Sequence, residues 1–106
     1  MSWPLLRGQV VQVDIHLDEP KLVVIVSNNR RNRQLDSVLA VRLTSSAKPD
    51  IPSVVELGTS EVFHGRAVCD NVIEVFEDEV LGVRGGLTAD AIDRINAGLR
   101  AALDLD

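Results

Sequence analysis

The feature that most constrains this chain is an unbroken apolar run, Leu22-Val23-Val24-Ile25-Val26. Four of its five residues are β-branched, and such a run is typical of a strand that is buried on both faces. The run ends at Ser27-Asn28-Asn29, whose side chains hydrogen-bond to nearby backbone and favour a turn. Other parts of the chain must therefore cover both faces of this strand.

Four further segments have the alternating or β-branched pattern of strands. We predict strands over residues 8–15, 37–43, 53–57 and 66–75. The third follows Pro49 and Pro52 and is expected at a sheet edge, and the last is one long strand or two segments around a bulge near Asp70 and Asn71. Residues 30–35 are predicted to form a helical turn or an irregular loop, residues 77–79 a short helical turn, and residues 82–86 a break in regular structure.

The C-terminal segment has the pattern of an amphipathic helix. Thr88 is placed to cap its N-terminus, and Asp90 adds a carboxylate to the first turn, where the helix dipole favours negative charge. Apolar residues then recur at helical spacing, at Ala91, Ile92, Ile95, Leu99, Ala102 and Leu103. The sequence therefore predicts a single β-rich α+β domain over residues 1–106, a half-open barrel or curled sheet capped by this helix.

Length and composition narrow the class of protein. The chain has 106 residues, 45% of them apolar and 25% charged, which suits one globular domain and argues against disorder. No apolar run is long enough to span a bilayer, and the first residues lack the apolar core of a secretory signal. Cys69 is the single cysteine and is predicted to be a small buried residue of a strand. We therefore expect a cytoplasmic protein with no membrane partner.

The charge is distributed unevenly along the chain. The net charge is −5, yet residues 21–48 contain six basic residues and one acidic residue. Such a segment fits a local positive surface that would attract a phosphate chain. It fits equally well a solvated loop in which arginines happen to cluster.

The common motifs of metal and cofactor sites are missing from the sequence. His16 and His64 are far apart, and neither forms a helical pair with a carboxylate. Asp18-Glu19 and the acidic run at residues 77–79 lack the spacing of a calcium loop. We find no glycine-rich phosphate loop and no nucleophile elbow, so no metal and no cofactor is expected.

Polar side chains stand where two of the predicted strands meet loops. Lys21 opens the second strand, and Thr44-Ser45-Ser46 closes the third. If these strands are antiparallel neighbours, Lys21 and Thr44 lie at the same end of the sheet. On this pattern alone, a surface lysine and a turn threonine are the simpler interpretation.

Several of these stretches, taken in order, resemble the MazF/PemK toxin family over nearly the whole chain. They are Leu6-Arg7-Gly8-Gln9-Val10 with Val13-Asp14, the core strand through Asn28, Val41-Arg42-Leu43-Thr44-Ser45, Ala67-Val68-Cys69-Asp70-Asn71 and the final helix. The segment from Val26 to Arg33 is similar to the mycobacterial-type subgroup of this family.

The resemblance implies a fold, an activity and partners. The fold would be a small SH3-like half-open barrel of the MazF/CcdB/Kid type, with about five to seven strands and a C-terminal helix. The protein would be a homodimeric toxin of a type II toxin–antitoxin system. It would cut single-stranded RNA, usually mRNA and in some relatives tRNA or rRNA, sequence-selectively and without a metal. A cognate antitoxin would neutralise it by laying a peptide across the RNA groove.

The resemblance also implies the catalytic residues. The family pairs an arginine that opens the second strand with a threonine that closes the third; here these positions are Lys21 and Thr44, with Ser45 in support. In such cleavage the substrate's 2′-OH attacks the adjacent phosphorus, and the enzyme stabilises the phosphorane. A lysine is a point charge that can also give up a proton, unlike arginine. Glu19, Asp18 and His16 are the candidate bases.

Two sets of residues are expected to bind RNA. Arg30, Arg31, Arg33 and Arg42 are predicted to position phosphates. Asn28, Asn29 and Asn32 could hydrogen-bond to base edges, although turn formation is the favoured role for asparagines in this sequence. The first loop is shorter than in many relatives, so the cleavage sequence does not transfer.

Two other functions fit the same resemblance. A gyrase-binding inhibitor of the CcdB type would use the C-terminal helix, but this helix ends without an aromatic anchor, in Ala101-Ala102-Leu103-Asp104-Leu105-Asp106. A catalytically decayed relative is the other alternative, because lysine replaces arginine at position 21.

Overall fold

Six strands and two helices form most of the structure. The computed structural model describes residues 3–16 and 19–105. Within them the strands are β1 (Gln9–Val13), β2 (Lys21–Ile25), β3 (Ser37–Thr44), β4 (Val54–Leu57), β5 (Gly65–Phe76) and β6 (Val80–Gly86). The helices are α1 (Asn29–Gln34) and α2 (Ala89–Leu103), and a 3₁₀ turn covers Glu77–Glu79. No helix in this part of the chain is long and apolar enough to cross a membrane.

The strands form one open sheet in the order β4-β5-β3-β2-β1-β6. All five neighbouring pairs are antiparallel. The edges are β4 and β6, so the prediction that residues 53–57 lie at a sheet edge is confirmed. A six-stranded open sheet with a C-terminal helix is also the predicted β-rich α+β architecture.

Strand β2 is covered on both faces, as its sequence predicts. Val24 packs into a core between the sheet and α2, together with Val10, Val41, Cys69 and Ile95. Val23 and Ile25 point the other way and belong to a second core, which includes Leu5, Val11, Val38 and Val75. Burial of aliphatic side chains on both faces makes this strand the centre of the hydrophobic stabilisation.

Helix α2 approaches the sheet closely at Gly98. A Cβ at this position would lie 2.8 Å from Sγ of Cys69 and 2.8 Å from Cγ2 of Val55. The prediction that Cys69 is a buried strand residue is confirmed, because its side chain is completely enclosed. Burial, with a smaller effect from the charge of Asp70, raises the pKa of the Cys69 thiol to about 11, so the thiol stays protonated at neutral pH.

The prediction of a structural break over residues 82–86 is wrong. These residues belong to β6, which pairs with β1. The pairing shifts register between Val10 and Val11 and again between Gln12 and Val13. Gly85 has a φ of +139°, and a Cβ there would lie 2.9 Å from Cγ2 of Val62. The glycines therefore permit an irregular edge strand rather than interrupting it.

The predictions that left two outcomes open are now decided. Residues 66–75 lie in one strand, β5, whose pairing with β3 jumps from Val41↔Val72 to Arg42↔Val68. This jump confirms the bulge near Asp70 and Asn71. The segment at residues 30–35 is mostly helical, because residues 30–34 belong to α1 and Leu35 is its C-cap. Residues 77–79 form the predicted short helical turn.

Glu61 forms hydrogen bonds with the residue that caps the start of helix α2. The hydroxyl of Thr88 accepts a hydrogen bond from Ala91 N, which confirms Thr88 as the N-cap. Glu61 is 8% exposed, and its carboxylate accepts hydrogen bonds from Thr88 N at 3.0 Å and from Thr88 Oγ1 at 2.6 Å. These hydrogen bonds lower the pKa of Glu61 below its usual range. The loop after β4 is thereby tied to the helix.

Replacement of Glu61 by glutamine tests this link. We expect Glu61→Gln to lower the free energy of unfolding at pH 7 by about 1–2 kcal/mol, because charge-assisted hydrogen bonds are lost. The folded-state pKa lies below the unfolded-state value near 4.5. The stabilisation is therefore complete above that value and is lost as the pH falls through the folded-state pKa.

Urea denaturation of both proteins between pH 7 and pH 3.5 measures the difference. The difference in the free energy of unfolding between Glu61→Gln and the wild type should narrow as the pH falls below 4.5. The exposed control Glu77→Gln should match the wild type at every pH. A gap for Glu61→Gln that is constant across this range would contradict the account.

Candidate functional site

The pairing of β2 with β3 brings two polar strand ends together. The strands are antiparallel neighbours, as predicted, with Val23 opposite Arg42 and Val24 opposite Val41. Two residues toward the start of β2 and toward the end of β3, the same register places Lys21 beside Thr44. Because side chains alternate between faces, Lys21 and Thr44 lie on the face that carries Val23 and Arg42.

Both residues line one open cleft of about 400 Å³, called here the main cleft. Its walls come from the loop before β2, the ends of β2 and β3, and the loop before β5. The lining residues are Glu19, Pro20, Lys21, Leu22, Arg42, Leu43, Thr44, Ser45, Ser46 and Phe63. The Lys21 side chain is 23% exposed, and its Nζ lies 3.6 Å from Oε1 of Glu19. The ammonium group is thus held at the cleft wall with a carboxylate beside it.

The hydroxyl of Thr44 is fixed by the turn that follows β3. Its Oγ1 accepts a hydrogen bond from Ser46 N at 3.1 Å, so its hydrogen remains available to an acceptor in the cleft. The carbonyl of Ser46 accepts a bond from Arg66 Nη1 at 3.2 Å. Arg66 is in turn paired with Glu56, with Nε 3.1 Å from Oε1. Strands β4 and β5 therefore hold the turn that orients Thr44.

Gly65 allows β5 to approach the backbone of Thr44. It has a φ of +141°, and a Cβ at this position would lie 2.4 Å from the Thr44 carbonyl oxygen. Any side chain would therefore meet both backbone strain and a steric clash. The glycine at the start of β5 is a requirement of the site as well as of the strand.

The three candidate bases are placed differently. Glu19 lies in the main cleft beside Lys21. His16 lines a separate cleft, where its Nε2 is 3.6 Å from Oε2 of Glu79. Asp18 lies outside the described residues. Of the two candidates in the described part of the chain, only Glu19 is positioned to act with Lys21 and Thr44.

Most of the residues predicted to bind RNA lie at the other end of β2. They belong to α1 or its cap, and the four steps of β2 alone span about 13 Å. Asn28 caps α1 by accepting a bond from Arg31 N, in line with its favoured turn-forming role. Asn29 instead accepts a bond from Arg7 N, a residue distant in sequence. Arg31 donates to the carbonyl oxygen of Ser37 at 2.8 Å. Arg30 and Arg33 are both exposed on the same helix.

Asn32 has no exposed side chain with which to hydrogen-bond to RNA bases, so this less favoured alternative finds no support. Its side chain is completely buried. Its amide nitrogen donates to the carbonyl oxygens of Leu5 and Ser27, and its Oδ1 accepts from Ser27 Oγ at 2.6 Å. Asn32 therefore joins α1 to the N-terminal segment as part of the internal framework.

Arg42 is the only predicted RNA-binding residue that lies with Lys21 and Thr44. It also lines a second, smaller cleft of about 80 Å³, called here the side cleft, together with Thr44, Lys48, Val68 and Asn71. Three further residues that line the clefts were not predicted from the sequence: Lys48, Phe63 and Asn71. Lys48 entered only the count of charges, and no sequence pattern distinguishes Phe63 or Asn71 from ordinary loop and strand residues.

A third cleft has the wrong charge for a nucleic acid. It is also about 400 Å³ and is lined by His16, Asp36, Phe76, Glu77, Asp78 and Glu79. Four carboxylates would repel a phosphate chain. Within residues 3–16 and 19–105 no group of three or more His, Cys, Asp or Glu side chains could hold a metal ion. The main cleft is therefore the candidate for chemistry on an anionic substrate.

The chain matches a known family along most of its length. The family model described as "PemK-like, MazF-like toxin of type II toxin-antitoxin system" covers residues 6–103. A relative named Endoribonuclease MazF4, from Mycobacterium tuberculosis, is 39% identical over 100 residues, which are 94% of this chain and 93% of the relative. Endoribonuclease MazF1 from Mycobacterium bovis gives the same values.

Known structures agree with this match. An endoribonuclease in complex with its cognate antitoxin, from a mycobacterial species, superposes with a TM-score of 0.91 at 38% identity, over 97% of this chain and 98% of that one. A second mycobacterial endoribonuclease gives a TM-score of 0.88 at 39% identity, over 99% and 95% of the two chains. MazE–MazF from Deinococcus radiodurans, with a TM-score of 0.83 and 17% identity over 99% and 100%, shares the fold.

The role of Gly65 gives a matched pair of variants. We expect Gly65→Ala to lower the free energy of unfolding by about 1–3 kcal/mol, because alanine is strained at this φ and clashes with the Thr44 carbonyl. Gly58→Ala is the control, since a Cβ at Gly58 would have no heavy atom within 4 Å and its φ lies outside the strained range. Urea denaturation measures both variants. Equal stabilities for Gly65→Ala and the wild type would contradict the close approach of β5 to Thr44.

Proposed function

Because the chain belongs to the PemK-like, MazF-like toxin family of type II toxin–antitoxin systems, we propose that it is an endoribonuclease toxin that cuts single-stranded RNA. The observation that carries the proposal is the β2–β3 register, which puts an ammonium, a hydroxyl and a carboxylate into one cleft. The names of relatives at 39% identity, Endoribonuclease MazF1 and MazF4, support the same activity.

The proposed reaction begins with attack by the substrate. The 2′-OH oxygen attacks the adjacent phosphorus, and its proton passes to the carboxylate of Glu19. The bond from phosphorus to the 5′-oxygen then breaks, which leaves a 2′,3′-cyclic phosphate and a 5′-oxygen that must be protonated. No metal is needed for this sequence, because the substrate supplies the nucleophile and side chains supply the proton transfers.

Lys21 and Thr44 stabilise the charge that develops on the phosphorane. The Lys21 ammonium neutralises a non-bridging oxygen and donates a proton to the leaving 5′-oxygen. The Thr44 hydroxyl, whose own oxygen is occupied by Ser46 N, donates a hydrogen bond to a second non-bridging oxygen. Ser45 lies beside Thr44 and supports the same oxygen. Oriented donors of this kind are usually the largest contribution to catalysis of such reactions.

The partners and location are proposed on the same grounds. We propose that a cognate antitoxin binds this chain, as one does in the mycobacterial endoribonuclease complex. We also propose a homodimer that acts on RNA in the cytoplasm, in line with the family. Gyrase inhibition of the CcdB type finds no support in the site, and the relatives with about 39% identity are named endoribonucleases.

Cleavage of a mixed-sequence RNA in EDTA tests the proposal. The wild type should cut and leave 2′,3′-cyclic phosphate and 5′-OH ends. Thr44→Val and Lys21→Ala should each lower kcat about 10²–10³-fold, because each removes a donor to the phosphorane. Thr59→Val and Arg100→Ala are matched controls on exposed positions away from the cleft and should cut like the wild type.

The outcomes separate the activity from the site. A wild type that cuts no RNA would overturn the proposed function and would favour a decayed relative. Undiminished cleavage by both cleft variants would overturn the assignment to Lys21 and Thr44 and leave the activity standing.

A second measurement tests whether Lys21 donates the proton. Arginine keeps the positive charge but hardly releases a proton, so we expect Lys21→Arg to cut RNA about 10–100-fold slower than the wild type. A substrate with sulfur in place of the leaving 5′-oxygen needs no proton on departure, and both proteins should cut it at similar rates. A slow reaction of Lys21→Arg with this substrate too would mean that the lysine acts through position or charge alone.

A further inference from the structure

The side cleft adjoins the main cleft, and of its lining residues only Thr44 takes part in the mechanism above. Arg42 and Thr44 line both clefts. The other walls of the side cleft are Lys48, from the loop after β3, and Val68 and Asn71, from β5. A chain bound at Thr44 would therefore lie at the mouth of a second site with its own polar groups.

The bulge in β5 creates this site. The pairing with β3 passes from Val41↔Val72 directly to Arg42↔Val68, so Asn71 falls in the unpaired stretch of the strand. Bulges commonly turn a side chain away from the regular alternation of a strand. Here the bulge places the Asn71 amide beside the end of β3 that carries Arg42 and Thr44.

The polar groups of the side cleft suit an anion. Arg42 and Lys48 are cations, and the Asn71 amide can donate hydrogen bonds. The Nε of Arg42 is buried and has no hydrogen-bond partner among the described residues, so the hydrogen-bonding capacity of this guanidinium is not fully met within them. The neighbouring carboxylate of Asp70 does not line the cleft, and it accepts a bond from Ser53 Oγ at 2.8 Å.

The side cleft is much smaller than the main cleft. Its volume is about 80 Å³, and a phosphate is the smallest of the groups that make up a nucleotide. The adjoining main cleft, at about 400 Å³, has space for a nucleotide.

We propose that the side cleft binds a second phosphate of the RNA, one linkage away from the phosphate that is cut. Lys48 and Arg42 neutralise this phosphate, and Asn71 donates a hydrogen bond to it. The inference rests on the proposed endoribonuclease function and adds a determinant of substrate binding to it. Its effect falls on KM, because the contact is the same in the ground state and in the transition state.

Neutral linkages in the substrate test the inference. Once the cut site is mapped, short RNAs are made with a single uncharged methylphosphonate on either side of the scissile phosphate. For the wild type, one of these substrates should have a KM about tenfold higher than that of the all-phosphate RNA, with kcat unchanged. Lys48→Ala should raise KM for the all-phosphate RNA by a similar factor. It should also reduce the slope of the logarithm of the binding constant against the logarithm of salt concentration by about one, the effect of one lost phosphate contact.

Combining the two changes identifies the contact. If Lys48 binds the replaced phosphate, the methylphosphonate should raise the KM of the Lys48→Ala variant only slightly further, because that interaction is already lost. Asn71→Asp, which puts a carboxylate of nearly the same shape into the cleft, should raise KM for the all-phosphate RNA more than for the neutral one. Arg100→Ala removes a charge elsewhere and should behave like the wild type.

The results that would overturn the inference are distinct from those that concern the function. Independent, multiplying effects of Lys48→Ala and of the methylphosphonate at both positions would show that the side cleft binds no phosphate. A wild type that cuts RNA with equal KM for all three substrates would do the same. A wild type that cuts no RNA would overturn the proposed function and this inference together.

Discussion

The antiparallel register between β2 and β3 is the constraint on which the rest of this structure depends. Val23 opposite Arg42 fixes which residues face each core, and it fixes where the two strands end. A slip of one residue would send every side chain of β2 to the other face, and Lys21 would then leave the face that carries Thr44. The same register brings Lys21 to Thr44. Folding and assembly of the site are therefore consequences of one pairing.

Much of the fold could be predicted from the sequence, because hydrophobic periodicity reports burial directly. The core strand, the edge strand, the capped C-terminal helix and the buried Cys69 all follow from local patterns. β6 could not be predicted, because its three glycines look like a break and its pairing with β1 is a tertiary property. The role of Glu61 was equally hidden, since its partner Thr88 is 27 residues away.

The candidate site was predictable only in part. Strand-end logic and the family resemblance found Lys21, Thr44 and Arg42, but neither could separate the arginines of α1 from the cleft, because distance across β2 is invisible in a linear pattern. Charge counting treated residues 21–48 as one positive segment. The structure divides this segment between two ends of a strand and turns Asn32 inward, so nearness in sequence overstated nearness in space.

The central claim is that RNA occupies the main cleft, and amide chemical shifts measured during titration with an uncleavable RNA test it most directly. An oligonucleotide with 2′-deoxyribose at the cut position keeps its phosphates but lacks the nucleophile. We predict that shifts concentrate at residues 19–22, 42–48 and 63–71, around Lys21 and Thr44. Shifts confined to α1 or to the acidic cleft at residues 76–79, with Lys21 and Thr44 unmoved, would contradict the account.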